Sequence, residues 1–180
     1  MNNIGHAVTS DLKEAGDLLY LLGRSAPELG GSLWARRHAL RGLALPRSDP
    51  AGLRRLGERL LAAGPRGLVR AAHDLSDGGL AVTLGEMAFG GGLGFGVDLD
   101  AVGLRSPSLA LAAEGASRFV VEVPERERAR FERTFRGFDC SPLGTVRATP
   151  EASIRWSGRA LASVPLLPLY ERWRGGLGLP

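Results

Sequence analysis

A chain of 180 residues, 44% of them hydrophobic, is long enough to bury a core of its own, and its single cysteine, Cys140, excludes a disulfide framework. The net charge of +4 and pI near 10.2 would suit a polyanionic partner. The basic residues are interleaved with acids, however, as in Glu125-Arg126-Glu127-Arg128, which is the pattern of a solvated helix face. The longest apolar runs fall far short of the roughly 18 residues that cross a bilayer, and the first residues lack a signal peptide's basic-then-apolar order. A cytoplasmic chain with no nucleic-acid and no membrane partner is expected.

In chain order, Leu18 to Leu22 reads as a buried strand closed by Gly23. The stretch Glu28-Leu29-Gly30-Gly31-Ser32 has the glycines for close backbone approach, and its helical continuation is predicted to end near Gly42. Ser48 or Asp49 caps a helix with Pro50 in its first turn, whose Leu53, Leu56, Leu60 and Leu61 form one apolar stripe ended by Gly64-Pro65. Leu68 to Ala72 is predicted as a second strand, leading into His73-Asp74-Leu75-Ser76-Asp77-Gly78-Gly79 and a helix apolar on several faces. That helix is expected to be enclosed by the sheet and a neighbouring domain. Further on come a strand over Leu93 to Leu99, a helix over Ser108 to Ala113, a β-branched strand over Arg118 to Val123, a charged helix to Arg136, two or three short strands between Cys140 and Val164, and a closing helix over Leu166 to Arg174. This alternation implies an α/β or α+β domain, a mixed β-sheet with helices packed against it. Residues 1–10 read as a remnant or linker, and residues 11–180 as a single domain.

Few segments carry chemistry. The helix start at residues 76 to 79 offers free N–H groups to an anion, in competition with a cap by Asp77. Asp74 and Asp77 are spaced to share a divalent cation, although two carboxylates alone are a weak metal signal. His73 reads as a hydrogen-bonded structural histidine, Cys140 as packing, and Trp34, Trp156 and Trp173 as core or interface anchors. Glu114-Gly115-Ala116-Ser117-Arg118 places a charged pair and a hydroxyl before the strongest strand, where they face a cleft or form an internal ion pair. No phosphate loop, dinucleotide fingerprint, zinc-binding cysteine set or nucleophile elbow is present in the sequence.

The blocks KEAGDLLYLLG, ELGGS, AHDLSDGGLAV, GGLGFGVDLD and EGASRFVVEV, in that order, resemble the second C-terminal-type domain of formylglycinamide ribonucleotide amidotransferase, of the aminoimidazole ribonucleotide synthetase-like superfamily. SDGGL alone is shared across that superfamily, including selenophosphate synthetase and the hydrogenase maturation factor; ELGGS followed by EGASR favours the amidotransferase. The resemblance implies an ATP-dependent ligase that uses Mg2+ and converts formylglycinamide ribonucleotide to formylglycinamidine ribonucleotide with ammonia from a glutaminase subunit. It further implies that the catalytic histidine and most ATP and magnesium ligands belong to N-terminal synthase domains outside this chain, so that neither ATP nor Mg2+ binds tightly here. The family's Glu-Ser-Gln segment corresponds to Glu114-Gly115-Ala116, a departure that implies a degenerate site, and Leu33-Trp34 stands where an acidic-aromatic pair is common, which implies altered local contacts there. No catalytic or metal residue is carried over. Ser32, Asp74, Ser76, Asp77, Glu114, Ser117 and Arg118 are the candidates for a phosphate or domain-interface site. The alternatives are a stand-alone interaction module, self-associating as a homo-oligomer, and a selenophosphate synthetase or maturation-type protein.

Overall fold

The computed structural model describes residues 4–176. Seven strands form one mixed sheet: β1 (Leu18–Leu22), β2 (Ala71–Asp74), β3 (Gly94–Asp98), β4 (Phe119–Val123), β5 (Cys140–Arg147), β6 (Glu151–Trp156) and β7 (Arg159–Pro165), in the spatial order β2-β4-β1-β5-β3-β6-β7. Six helices accompany them: α1 (Leu33–Arg37), α2 (Pro50–Ala63), α3 (Gly79–Gly91), α4 (Pro107–Ala112), α5 (Arg128–Thr134) and α6 (Leu166–Gly176). All pairings are antiparallel except β3 with β6.

Strand β1 explains why the sheet has two covered faces. Its side chains alternate in direction: Leu19 and Leu21 join a core with Leu80, Leu84 and Met87 of α3, while Leu18, Tyr20 and Leu22 join a second core with Leu56 of α2 and Phe131 of α5. A strand buried on both faces must be apolar at every position, which is what LLYLL is. Phe131 and Phe135 pack with their rings tilted by 36° and 4.6 Å between centroids beneath the second face. Pro142 sits within interior strand β5 opposite Tyr20, where the pairing with β1 shifts register, the kind of irregularity that tolerates a missing N–H.

Two predicted elements move. Leu68 and Val69 are buried but lie before the ladder, which begins at Ala71 and extends through His73 and Asp74. The helix after ELGGS ends at Arg37 rather than near Gly42, because Ala39 turns into the left-handed region (φ 52°). The stripe on α2 is narrower than its leucine spacing suggests: Leu56 is buried, yet Leu53 and Leu61 are 40% and 71% exposed, since only one edge of this helix meets the sheet and α5. Helix α3 is covered in part by the closing helix of the same chain. Phe89 packs against Tyr170 and Trp173 of α6, with centroids 5.6 and 5.8 Å away.

One buried polar cluster crosses the sheet's end. Glu122 on β4 is fully buried and accepts N–H bonds from Lys13 (2.8 Å) and Glu14 (2.9 Å), tethering the segment that enters β1. Beside it Asp17 pairs with Arg70 at 2.6 Å, off the hydrogen-bond direction.

Candidate functional site

Glu114 follows the end of α4, and its Oε1 accepts two backbone N–H bonds, from Gly78 at 2.7 Å and from Leu33 at 2.9 Å. These are the N-cap position of α3 and the first residue of α1, so one carboxylate serves the electropositive starts of two helices. The predicted cap by Asp77 does not form. Gly78 is the N-cap residue, in the left-handed region at φ 82°, and Asp77 is exposed, with no side-chain hydrogen bond or ion pair among the described residues. The carboxylate satisfying the orphan donors comes from 36 residues downstream.

The glycines of the two motifs allow close approach to the chain itself. A Cβ on Gly30 would lie 2.6 Å from the Leu43 carbonyl oxygen, and Gly30 donates to the Ala44 carbonyl. A Cβ on Gly79 (φ 63°) would lie 2.7 Å from the Ala113 carbonyl oxygen, which pins the start of α3 against the end of α4. Ser32 is fully buried and caps α1: its hydroxyl accepts from Ala35 N at 3.1 Å and donates to the Leu29 carbonyl at 2.7 Å.

Arg118 and Glu114 do not form the ion pair that their proximity in sequence suggested. The guanidinium is fully buried and donates to the carbonyls of Ala113 and Gly115 and to Ser25 Oγ. Burial lowers its pKa to about 10, opposed by the charge of Glu28. Ser117 holds a left-handed backbone (φ 64°) at the entry to β4. His73 is held as a structural histidine, its Nδ1 2.9 Å from the Asp74 carbonyl and its Nε2 3.1 Å from Glu86 Oε2.

The structure thus brings together Ser32, Glu114 and the 78–79 turn, and places Arg118 and Ser117 behind them on the strand entry. Ser76, Asp77 and Asp74 are exposed on the rim. Sequence reasoning missed the Leu33 and Gly78 amides as the partners of Glu114; no local pattern signals a bond across 81 residues. The Gly78 and Leu33 amides are bonded to Glu114 rather than open to a phosphate, and among the described residues no group of three or more His, Cys, Asp or Glu side chains could hold a metal ion. No helix is long and apolar enough to cross a membrane.

Comparison with known proteins agrees with this architecture. The chain is 35% identical over 181 aligned residues to the phosphoribosylformylglycinamidine synthase subunit PurL of Methanothrix thermoacetophila, covering 98% of this chain and 23% of that protein. It therefore spans about a quarter of the length of that relative. Among solved structures, Thermotoga maritima PurL complexed with FGAR matches with a TM-score of 0.79 at 23% identity, over 92% of this chain and 30% of that one. The E. coli hydrogenase maturation protein HypE matches with a TM-score of 0.66 at 17% identity, over 89% and 52%. The family model for AIR synthase related protein, C-terminal domain, matches residues 14–157. The chain therefore belongs to the AIR synthase related protein C-terminal domain family.

Proposed function

We propose that this chain is the second C-terminal-type domain of an ATP-dependent C–N ligase that converts formylglycinamide ribonucleotide to formylglycinamidine ribonucleotide. In this reading it works in the cytoplasm with synthase domains that carry the ATP and Mg2+ site, and with a glutaminase that supplies ammonia. The observation that carries the reading is the likeness to PurL along nearly the whole chain, at 35% identity to a relative of which it covers a quarter.

The domain's role here is structural and docking rather than catalytic. Glu114 takes the place that an anion would need, and Gly115-Ala116 replaces the polar pair expected beside it. Exposed Leu33, Trp34, Leu40 and Leu45, on α1 and the loop after it, supply apolar surface suited to a partner domain. Reconstitution tests this: the remaining synthase domains of a PurL protein, expressed without their own second C-terminal-type domain, are mixed with this chain and assayed for ammonia-dependent ADP release from formylglycinamide ribonucleotide. Activity only in the mixture supports the reading. Equal activity with and without the chain overturns it.

A further inference from the structure

A cavity of about 560 Å3 lies between the loop after β1, the N-terminal end of α2 and the turn before β5. Three arginines line it, Arg24, Arg47 and Arg55, and among the described residues no hydrogen bond or ion pair engages any of them. Its acidic groups are Glu28, Asp49 and Asp139. Asp49 accepts from Gly52 N at 2.9 Å as the cap of α2, and the Glu28 carboxylate lies against Gly115. None of the three guanidinium groups is paired with these carboxylates, so their donors remain available to a ligand in the cavity. Leu53, Leu56 and Phe138 give the same cavity an apolar side.

From this arrangement we infer that the cavity binds a small phosphorylated ligand, with the arginines on its phosphate and an apolar or ring portion against the leucines and Phe138. Guanidinium groups pair with phosphate oxygens by charge-assisted, bidentate hydrogen bonds, and the volume lies within the usual range for small-molecule sites. The inference does not rest on the ligase reading, because it uses only charge and shape within this chain.

The test is isothermal titration of the full chain at low salt with pyrophosphate, then with ADP as a probe that adds a ring. Saturable 1:1 binding is expected, tighter for ADP, and weakened by roughly tenfold or more in an Arg47→Glu/Arg55→Glu variant. Asp139→Asn is expected to tighten it. A control pair with the same charge change elsewhere, Arg126→Glu/Arg133→Glu, should weaken it far less. No saturation by about 10 mM probe, or equal weakening in the control, would overturn the site. ADP binding no tighter than pyrophosphate would overturn the ligand class. All the substituted side chains are exposed, so loss of fold does not confound the comparison.

Discussion

Glu122 is a fully buried carboxyl on an interior strand, and no salt bridge engages it among the described residues; Arg70 is paired with Asp17. Burial raises its pKa from 4.5 to about 7; the Lys13 and Glu14 amides oppose the rise and the Asp17 charge adds to it. The gap corresponds to about 3 kcal/mol. The folded chain holds this proton more firmly than the unfolded chain, so the stabilisation is full below pH 4.5 and is lost as pH rises through about 7. Glu122→Gln removes that dependence but leaves one amide without its acceptor, at a cost of about 1 kcal/mol at every pH. Near pH 5 the two proteins should melt at about the same temperature. At pH 8 the variant should lead by about 2 kcal/mol, roughly 4–8 °C for a chain of this size. Thermal unfolding by circular dichroism from pH 5 to 8 reads this directly. A constant difference between the two melting curves across that range would refute the reasoning.

Gly79→Ala should destabilise by at least about 2 kcal/mol, because its Cβ meets the Ala113 carbonyl, whereas Gly92→Ala, at a similar positive φ with nothing within 4 Å, should cost only about 1 kcal/mol; urea midpoints separate the two. Arg118→Ala strands the Ala113 and Gly115 carbonyls and should cost about 3 kcal/mol or more in the same assay, with Arg118→Lys recovering only part. Burial, aided by the Glu132 charge, pushes the Cys140 thiol up to about 11. Its alkylation by iodoacetamide at pH 8 should therefore run about a hundredfold slower in the native chain than in urea, and equal rates would contradict that placement.

Much of the sheet was legible because its strands obey simple rules. LLYLL is a short apolar run and FVVEV a β-branched one interrupted only by Glu122, and both form strands within a residue of the expected limits. Asp49-Pro50 marked the start of α2 through the same local chemistry that makes the cap. What failed were properties decided by distant residues. Leu68 and Val69 have strand-like composition, but their burial comes from packing at the exit of α2, while the ladder forms where β4 lies alongside, at Ala71 to Asp74. Leu61 belongs to a periodic stripe and still faces solvent, since nothing packs over that edge. Within the candidate site, Ser32 and Gly79 were identifiable as special from residue type. That Glu114 rather than Asp77 would serve the α3 terminus follows only from the crossing of α1, α3 and α4.

The position of β1 constrains how the chain can be built. Its neighbours on both sides are β4 and β5, whose residues begin about a hundred positions later. During synthesis at about 5–20 residues per second, the LLYLL segment therefore emerges many seconds before either partner exists and stays without its sheet neighbours until Phe119 to Arg147 have left the ribosome. Sheet assembly must then proceed through non-local pairing, which folds slowly and exposes apolar backbone meanwhile. A strand that secures the finished core on both faces is, for the nascent chain, the one that waits longest for its partners.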